Sequence, residues 1–371
     1  MTNRYYIFGA HPRGYTMYQY MRTLESDKEI LGFLFDNDEK NPEDIEGIKV
    51  YDLKENAADV LDTDAVVYLA TRGVFHEHIK EVLTNAGFSE DSIIPVTPTL
   101  DMDLRNKYVK RVFANEGRIF EKLLLGDSAE GDREIGNDDS DLECCIYVAK
   151  TVFDNDFSKE VPLKYFESII QAGTGLTEDR LPDAAVFDND GENISSKNKQ
   201  FCELTALYWI WKHADQDIIG LEHWRRRFLL PDNWIQIFQK DKIDVILPVP
   251  LCVMPSLEEN YRGRHVSEVW DRAMKILGEM YPEDAEPAGR YFKEHNLYSP
   301  CNMMIARKDI LKEYCSWLFP ILLRLDEETG CLEDAYQNRY PGFLSERLLN
   351  YYLDNRRDRY HIVYADKSFL S

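Results

Sequence analysis

The segment NKQFCELTALYWIWKHADQDIIGLEHWRRRF (198–228) decides the fold of the larger part of this chain. Leu204, Leu207, Tyr208 and Trp211 recur at helical spacing, so an amphipathic helix is expected, with Asn198 as its N-cap. The apolar run IIGL then reads as a buried strand that delivers Glu222, His223, Arg225 and Arg226 at its C-terminal end. In open α/β sheets that edge is where ligands bind. Two adjacent guanidiniums there could grip a diphosphate bidentately, which a lysine point charge does less well. The alternative is an arginine cluster that satisfies acids elsewhere on an acidic protein. Ahead of the helix, DNDGENISSKN (188–198) is a polar loop of turn formers and hydrogen-bonding groups.

Outward from this segment the chain reads as two α/β domains with a linker between them. RYYIFGA (4–10), ILGFLFD (30–36), IKVYD (48–52), AVVYLA (65–70) and SIIPV (92–96) are strand-like. Helical stretches fall at about 15–24 and 74–86, and this alternation implies a parallel sheet wound by right-handed crossovers. Residues 1–100 therefore form a Rossmann-like domain of nucleotide-binding type. Helical periodicity resumes over 101–125, where Leu104, Tyr108, Val112, Phe113, Ile119, Phe120 and Leu123 share one side. GDSAEGDREIGNDDSDLE (126–143) is acidic and nearly without apolar anchors, so 101–143 is a helix plus linker. The strand CIYVAKTVF (145–153) opens a second domain over 144–371.

Gly9-Ala10-His11-Pro12-Arg13-Gly14 sits where a dinucleotide fold has its phosphate loop. His11 occupies the middle-glycine position, which argues against hydride transfer and leaves a structural domain as the alternative. Asp36 and Asp38 follow the second strand, where an acid could meet a ribose. The pattern resembles the N-terminal Rossmann-like domains of bacterial sialic-acid and bacillosamine O-acyltransferases, which implies a nucleotide-sugar site.

Bulk properties narrow the function. Across 371 residues the formal net charge is −23, a surface that repels polyphosphate, so nucleic acid is excluded as a partner. No apolar run is long enough to span a bilayer, and MTNRYYIFGA has no cleavable signal pattern. The cysteines, at 144, 145, 202, 252, 301, 315 and 331, show no zinc spacing and suit a reducing compartment. A cytoplasmic protein is expected, with any membrane contact peripheral at the inner face.

The run GENISSKNKQFCELTALYWIWKH (191–213) with IIGLEHWRRRF (218–228) resembles a glycosyltransferase domain of capsule and O-antigen clusters, long catalogued as DUF4422. The resemblance continues through DVILPVP (244–250), CNMMIARKDILKEYCSWLFPIL (301–322) and GFLSERLLNYYL (342–353). It departs at Trp224, where the family usually has tyrosine, so any role of a phenolic hydroxyl there is lost. The resemblance implies a GT-A-like α/β domain. It also implies a nucleotide-diphosphate donor, UDP-galactofuranose among the candidates, and a glycan or lipid-linked acceptor.

Site residues follow from the resemblance and from chemistry together. Inverting transfer needs a base for the acceptor hydroxyl and cations for the departing nucleoside diphosphate. Glu346 is the candidate base, expected at the start of a helix capped by Ser345, where the helix dipole would keep it ionised. Asp190, Asn193, Asn198, Glu203, His223, Arg225 and Arg226 are expected to shape or contact the donor. Capping and loop hydrogen bonds account for Asn198 equally well. His265 and Asn302 are candidates for acceptor contact. Asp188 and Asp190 could hold Mg²⁺ or Mn²⁺, although Asp-Asn runs more often form turns and the arginines could replace a metal's charge. Tyr208, Trp209 and Trp211 read as helix core. The competing functions are glycoside hydrolysis by paired carboxylates and a non-catalytic nucleotide-sugar sensor or scaffold.

Overall fold

The computed structural model describes residues 3–38, 40–54, 60–124, 142–155, 157 and 161–370. The acidic linker expected at 126–143 lies outside the described residues apart from its last two. The chain divides into two compact units, Met1–Ile119 with Cys252–Met254, and Phe120–Leu251 with Pro255–Ser371.

The first unit runs β1 (Arg4–Phe8), α1 (Pro12–Leu24), β2 (Glu29–Phe35), β3 (Asp44–Ile45), β4 (Ile48–Asp52), β5 (Val66–Leu69), α2 (His76–Asn85), β6 (Ile93–Pro95) and α3 (Pro98–Asn115). Its sheet has the order β3-β4-β2-β1-β5-β6 and is parallel except for the β3–β4 hairpin, the wound sheet expected from the alternating pattern. Tyr6, Phe8, Leu34, Val67, Leu69, Ile79 and Leu83 form the core between sheet and helix. A Cβ on Gly14 would stand 1.8 Å from the Gly9 carbonyl oxygen, so only glycine lets α1 approach β1 this closely. The third helix starts earlier and stops sooner than the periodicity suggested. Thr97 caps it by accepting from the Leu100 N–H, and Gly117 follows at φ 69°. Ile119 is consequently exposed, and Leu123 belongs to the core of the second unit.

The second unit contains β7 (Cys144–Lys150), β8 (Glu167–Gln171), β9 (Val186–Phe187), α4 (Asn198–Phe201), α5 (Leu204–His213), β10 (Ile218–His223), β11 (Arg226–Leu229), α6 (Trp234–Lys240), β12 (Val245–Pro248) and the first residue of β13 (Leu251–Cys252), whose Cys252 is counted with the first unit. It continues with α7 (Leu257–Arg262), α8 (Ser267–Met280), α9 (Pro282–Glu294), β14 (Leu297–Tyr298), β15 (Met304–Arg307), α10 (Lys308–Thr329), α11 (Tyr340–Asp354) and β16 (Ile362–Phe369). The main sheet has the order β11-β16-β12-β15-β10-β7-β8-β9. β10, β7, β8 and β9 are mutually parallel, and β15 enters antiparallel beside β10.

This register positions the site. Three parallel neighbours end together at Lys150, Gln171 and His223. The pairing of Leu221 with Met304 brings the residues just before β15 alongside His223. His223 also pairs with Arg226 across a tight turn at Trp224-Arg225. Gly220 is required at the centre, because a Cβ there would meet Ile305 at 2.9 Å and Ile146 at 3.2 Å. Beneath, Ile146, Ile218, Trp234, Phe238, Ile246, Met303 and Ile305 are buried, each such side chain stabilising by about 1.5–3 kcal/mol. No helix among the described residues is long and apolar enough to cross a membrane.

Candidate functional site

A cleft of about 250 Å³ opens at the C-terminal ends of β7, β8 and β10. Ala149, Thr151 and Ala172 form its floor, and Asn198, Cys202 and Glu203 come from the α4–α5 junction. His223, Trp224, Arg225 and Arg226 enter from the β10–β11 turn. Asp154 and Arg339 complete it. Three guanidiniums thus share one cleft with two carboxylates on a strongly acidic chain.

The turn is held from below by charge. Arg227 points inward, where its Nη1 lies 2.6 Å from Glu167 and 3.5 Å from Glu222. It therefore stands apart from Arg225 and Arg226, which line the cleft. Glu222 is buried, accepts from the Phe228 N–H, and is pushed well above the usual carboxylate range by burial and then by Glu167. Trp224 stacks on Phe157 at 4.5 Å, and the Lys150 ammonium lies 3.8 Å over its ring. Arg225 donates to the carbonyl of Asn155. Arg226 has no ion pair among the described residues and packs over Phe369.

Behind the cleft lies a second constellation around two strained residues. Cys301 and Asn302 have φ of 75° and 51°, and Cys202, beside Glu203, has 49°. Left-handed backbone at non-glycine residues persists only where surrounding bonds impose it, and it gathers at functional sites. Here the bonds are explicit. Glu346 Oε1 accepts the Cys301 N–H at 2.6 Å, and His223 Nε2 meets the Cys301 carbonyl at 2.6 Å. A carbonyl only accepts, so Nε2 of His223 carries a proton and donates it to this bond. Asn302 Nδ2 donates to Glu203 at 2.7 Å and to the Gly342 carbonyl, while its Oδ1 accepts from Ser345.

Glu346 itself is pushed up to about 7. Burial is the main cause, Glu203 adds to it, and Arg347, the Cys301 N–H and Arg226 oppose it. This corrects the expected helix-start carboxylate. α11 begins at Tyr340 with Pro341 in its first turn, so Ser345 is interior and Glu346 lies beyond the reach of the helix N-terminus. Ser345 Oγ instead ties Asn302 in place.

The other expected residues divide by location. Asn198, Glu203, His223, Arg225 and Arg226 line the cleft. Asn198 does not cap the long helix. Lys197 precedes the short α4, and Asn198 Nδ2 donates to the Cys202 carbonyl and to Thr205 Oγ1, bracing the strained Cys202 turn. Glu203 stands at the N-cap of α5 without capping it. Asn193 folds its own loop, donating to the carbonyls of Asn189 and Gly191. Asp190 is exposed and offers its backbone carbonyl to Trp209, and it does not line the cleft.

Asp188 does not fit a metal ligand. It is 0% exposed and accepts from the N–H groups of Gly173 and Thr174 and the hydroxyls of Thr174, Ser195 and Thr205. Its oxygens are saturated by protein donors, and no other group of three or more metal-binding side chains converges among the described residues. His265 lies face to face with Phe343 at 4.1 Å and is held neutral, pushed down to about 4 by burial, then by Arg347. It is therefore no cationic partner for a phosphate. The sequence offered no signal for Arg339, which arrives on a turn (Gln337–Arg339) from over a hundred residues away and donates to Cys202 Sγ at 3.0 Å. Tyr208, Trp209 and Trp211 are core-side, with Trp211 stacked on Phe319.

The family model described as a domain of unknown function, DUF4422, matches residues 158–357. Among solved structures, WbbM, a bifunctional glycosyltransferase in its apo form, is similar at a TM-score of 0.52 and 23% identity. The match covers 62% of this chain and 45% of that one, so this chain spans less than half of WbbM. The mannosyltransferase Ktr4p of S. cerevisiae matches at a TM-score of 0.26 and 11% identity, over 65% of this chain and 70% of that chain. No curated protein matches. The likeness to WbbM shows a mixed α/β fold of the glycosyltransferase type. Because the family match runs over more than half of the residues and takes in β8 through α11, the chain belongs to the DUF4422 family.

Proposed function

We propose that the chain is a glycosyltransferase that moves a sugar from a nucleoside-diphosphate donor to a glycan or lipid-linked acceptor in cell-surface polysaccharide synthesis. The observation that carries this reading is the convergence of Arg225, Arg226 and Arg339 on one cleft, with Glu203 in its wall and Glu346 joined to it through Asn302 and Cys301.

In this reading the guanidiniums hold the diphosphate and take up the charge that develops as it leaves. Glu346 accepts the proton of the attacking hydroxyl, the acceptor oxygen bonds to the anomeric carbon, and the nucleoside diphosphate departs from the opposite face. A single displacement of this kind inverts the anomeric centre. A carboxylate near 7 is a stronger base than an ordinary glutamate and is still partly ionised at neutral pH. The donor is a UDP-sugar, with UDP-galactofuranose implied by the family resemblance. Because the Asp188 oxygens are occupied, the diphosphate charge falls to the arginines in this scheme.

Thermal-shift titration with UDP and UDP-sugars, with and without EDTA, tests the donor half. Wild type is expected to gain melting temperature in both conditions, and Arg226→Ala to bind about 10- to 100-fold more weakly, the loss of one or two charge-assisted hydrogen bonds. Equal shifts in both proteins would remove Arg226 from the donor site. UDP-sugar binding without turnover on any glycan acceptor would favour the non-catalytic reading.

A further inference from the structure

Next to the cleft lies a ladder of aromatic rings that packing alone does not explain. Tyr261, fully buried, stands 4.8 Å from His265, and His265 stacks on Phe343. Tyr336 closes the ladder, 5.0 Å from Phe343 and 5.8 Å from His265, yet its surface is 54% exposed. The Arg339 guanidinium lies over the Phe343 ring at 5.7 Å and also lines the cleft, so ladder and cleft are continuous.

The exposed end is rigid. Gln337 N–H donates to Asp334 Oδ1, Gln337 Nε2 donates to the Arg264 carbonyl, and the Leu332 N–H donates to Asn338 Oδ1. His265 Nδ1 lies 3.3 Å from Gln337 Oε1, an amide oxygen that only accepts, so the imidazole is locked in one tautomer. A large ring held in place while half in water is pre-organised to cover something flat and apolar.

We propose that the exposed ring of Tyr336, backed by the stacked rings of His265 and Phe343, forms the acceptor subsite, a platform on which the C–H face of a pyranose sugar stacks. This rests on the transferase reading, in which the neighbouring cleft holds the donor. The platform supplies apolar contact without demanding hydrogen bonds from the sugar, whose hydroxyls stay at the rim beside Arg339. It selects for an acceptor that ends in a pyranose with one face free of axial hydroxyls.

Saturation-transfer NMR with methyl β-D-glucopyranoside, at about 10 mM because stacking alone supports only millimolar binding, tests the platform. Wild type and Tyr336→Phe are expected to transfer magnetisation to the sugar C–H protons. Tyr336→Ala, a surface change that leaves the core intact, is expected to lose at least about 3- to 10-fold of that signal. UDP binding, followed by calorimetry, is expected to be the same in all three. Equal signals in wild type and Tyr336→Ala, or none in wild type, overturn the platform. A Tyr336-dependent signal in a protein that binds no UDP upholds the platform and sinks the transferase reading instead.

Discussion

Glu346→Gln is expected to lower kcat by about 10²- to 10⁴-fold while leaving UDP binding unchanged, the loss typical of a general base. The amide oxygen of Gln can still accept the Cys301 N–H, so the strained 301–302 turn keeps its anchor. In wild type, kcat/KM should rise with pH along a limb near 7, because the base works only when ionised. Glu203→Gln removes the like charge that raises Glu346 and should move this limb to lower pH. A pH profile of Glu203→Gln that superimposes on wild type would break the link between the two carboxylates.

The same shift has a stability consequence with a definite sign. The folded-state pKa of Glu346 lies above that of an unfolded glutamate, so folding favours the protonated form. That contribution is complete at low pH and is lost as pH rises through about 7. Gln has no charge to bury, so the melting temperature of Glu346→Gln should gain on wild type as pH rises from about 4.5 to about 7 and level off above that. Lost activity with equal or higher stability marks a residue kept for chemistry. Parallel melting curves at every pH would mean that the carboxylate is not buried as described.

The second large effect concerns the fold. Asp188→Ala is expected to cost at least about 4 kcal/mol, because it orphans several buried donors at once. In a domain of this size that corresponds to a fall of roughly 10 °C in melting temperature. Neither Mg²⁺ nor Mn²⁺ should restore it, since the carboxylate is spent on Gly173, Thr174, Ser195 and Thr205. Asp190→Ala, on the exposed side of the same loop, should stay within about 0.5 kcal/mol of wild type. A Mn²⁺-dependent melting temperature in wild type that vanishes in Asp188→Asn would restore the metal reading.

The contrast between Asp188 and Asp190 shows where reading residues stops. Both sit in one Asp-Asn-Asp triplet, and nothing local distinguishes a buried acceptor hub from a solvated turn residue. The difference arises because Gly173 and Thr174, on the loop after β8, fold onto one aspartate and not the other. His265 teaches the same lesson in reverse. A polar neighbourhood in the sequence, Arg262-Gly263-Arg264, hides a ring sandwiched by Phe343, which comes from α11.

By itself the sequence determined the elements and the sheet edge at which the cleft opens. Alternation of apolar runs with helical periods, and IIGL followed by EHWRR, are local patterns, and local sterics and burial suffice to read them. Tertiary structure alone decided which charges face the cleft. Arg227 turned inward to Glu167, Arg339 joined from a distant turn, and Glu346 came to rest beside Glu203 through the backbone of Cys301 and the side chain of Asn302. The physical reason is that a side chain's charge state and direction depend on burial and on partners far away in the chain.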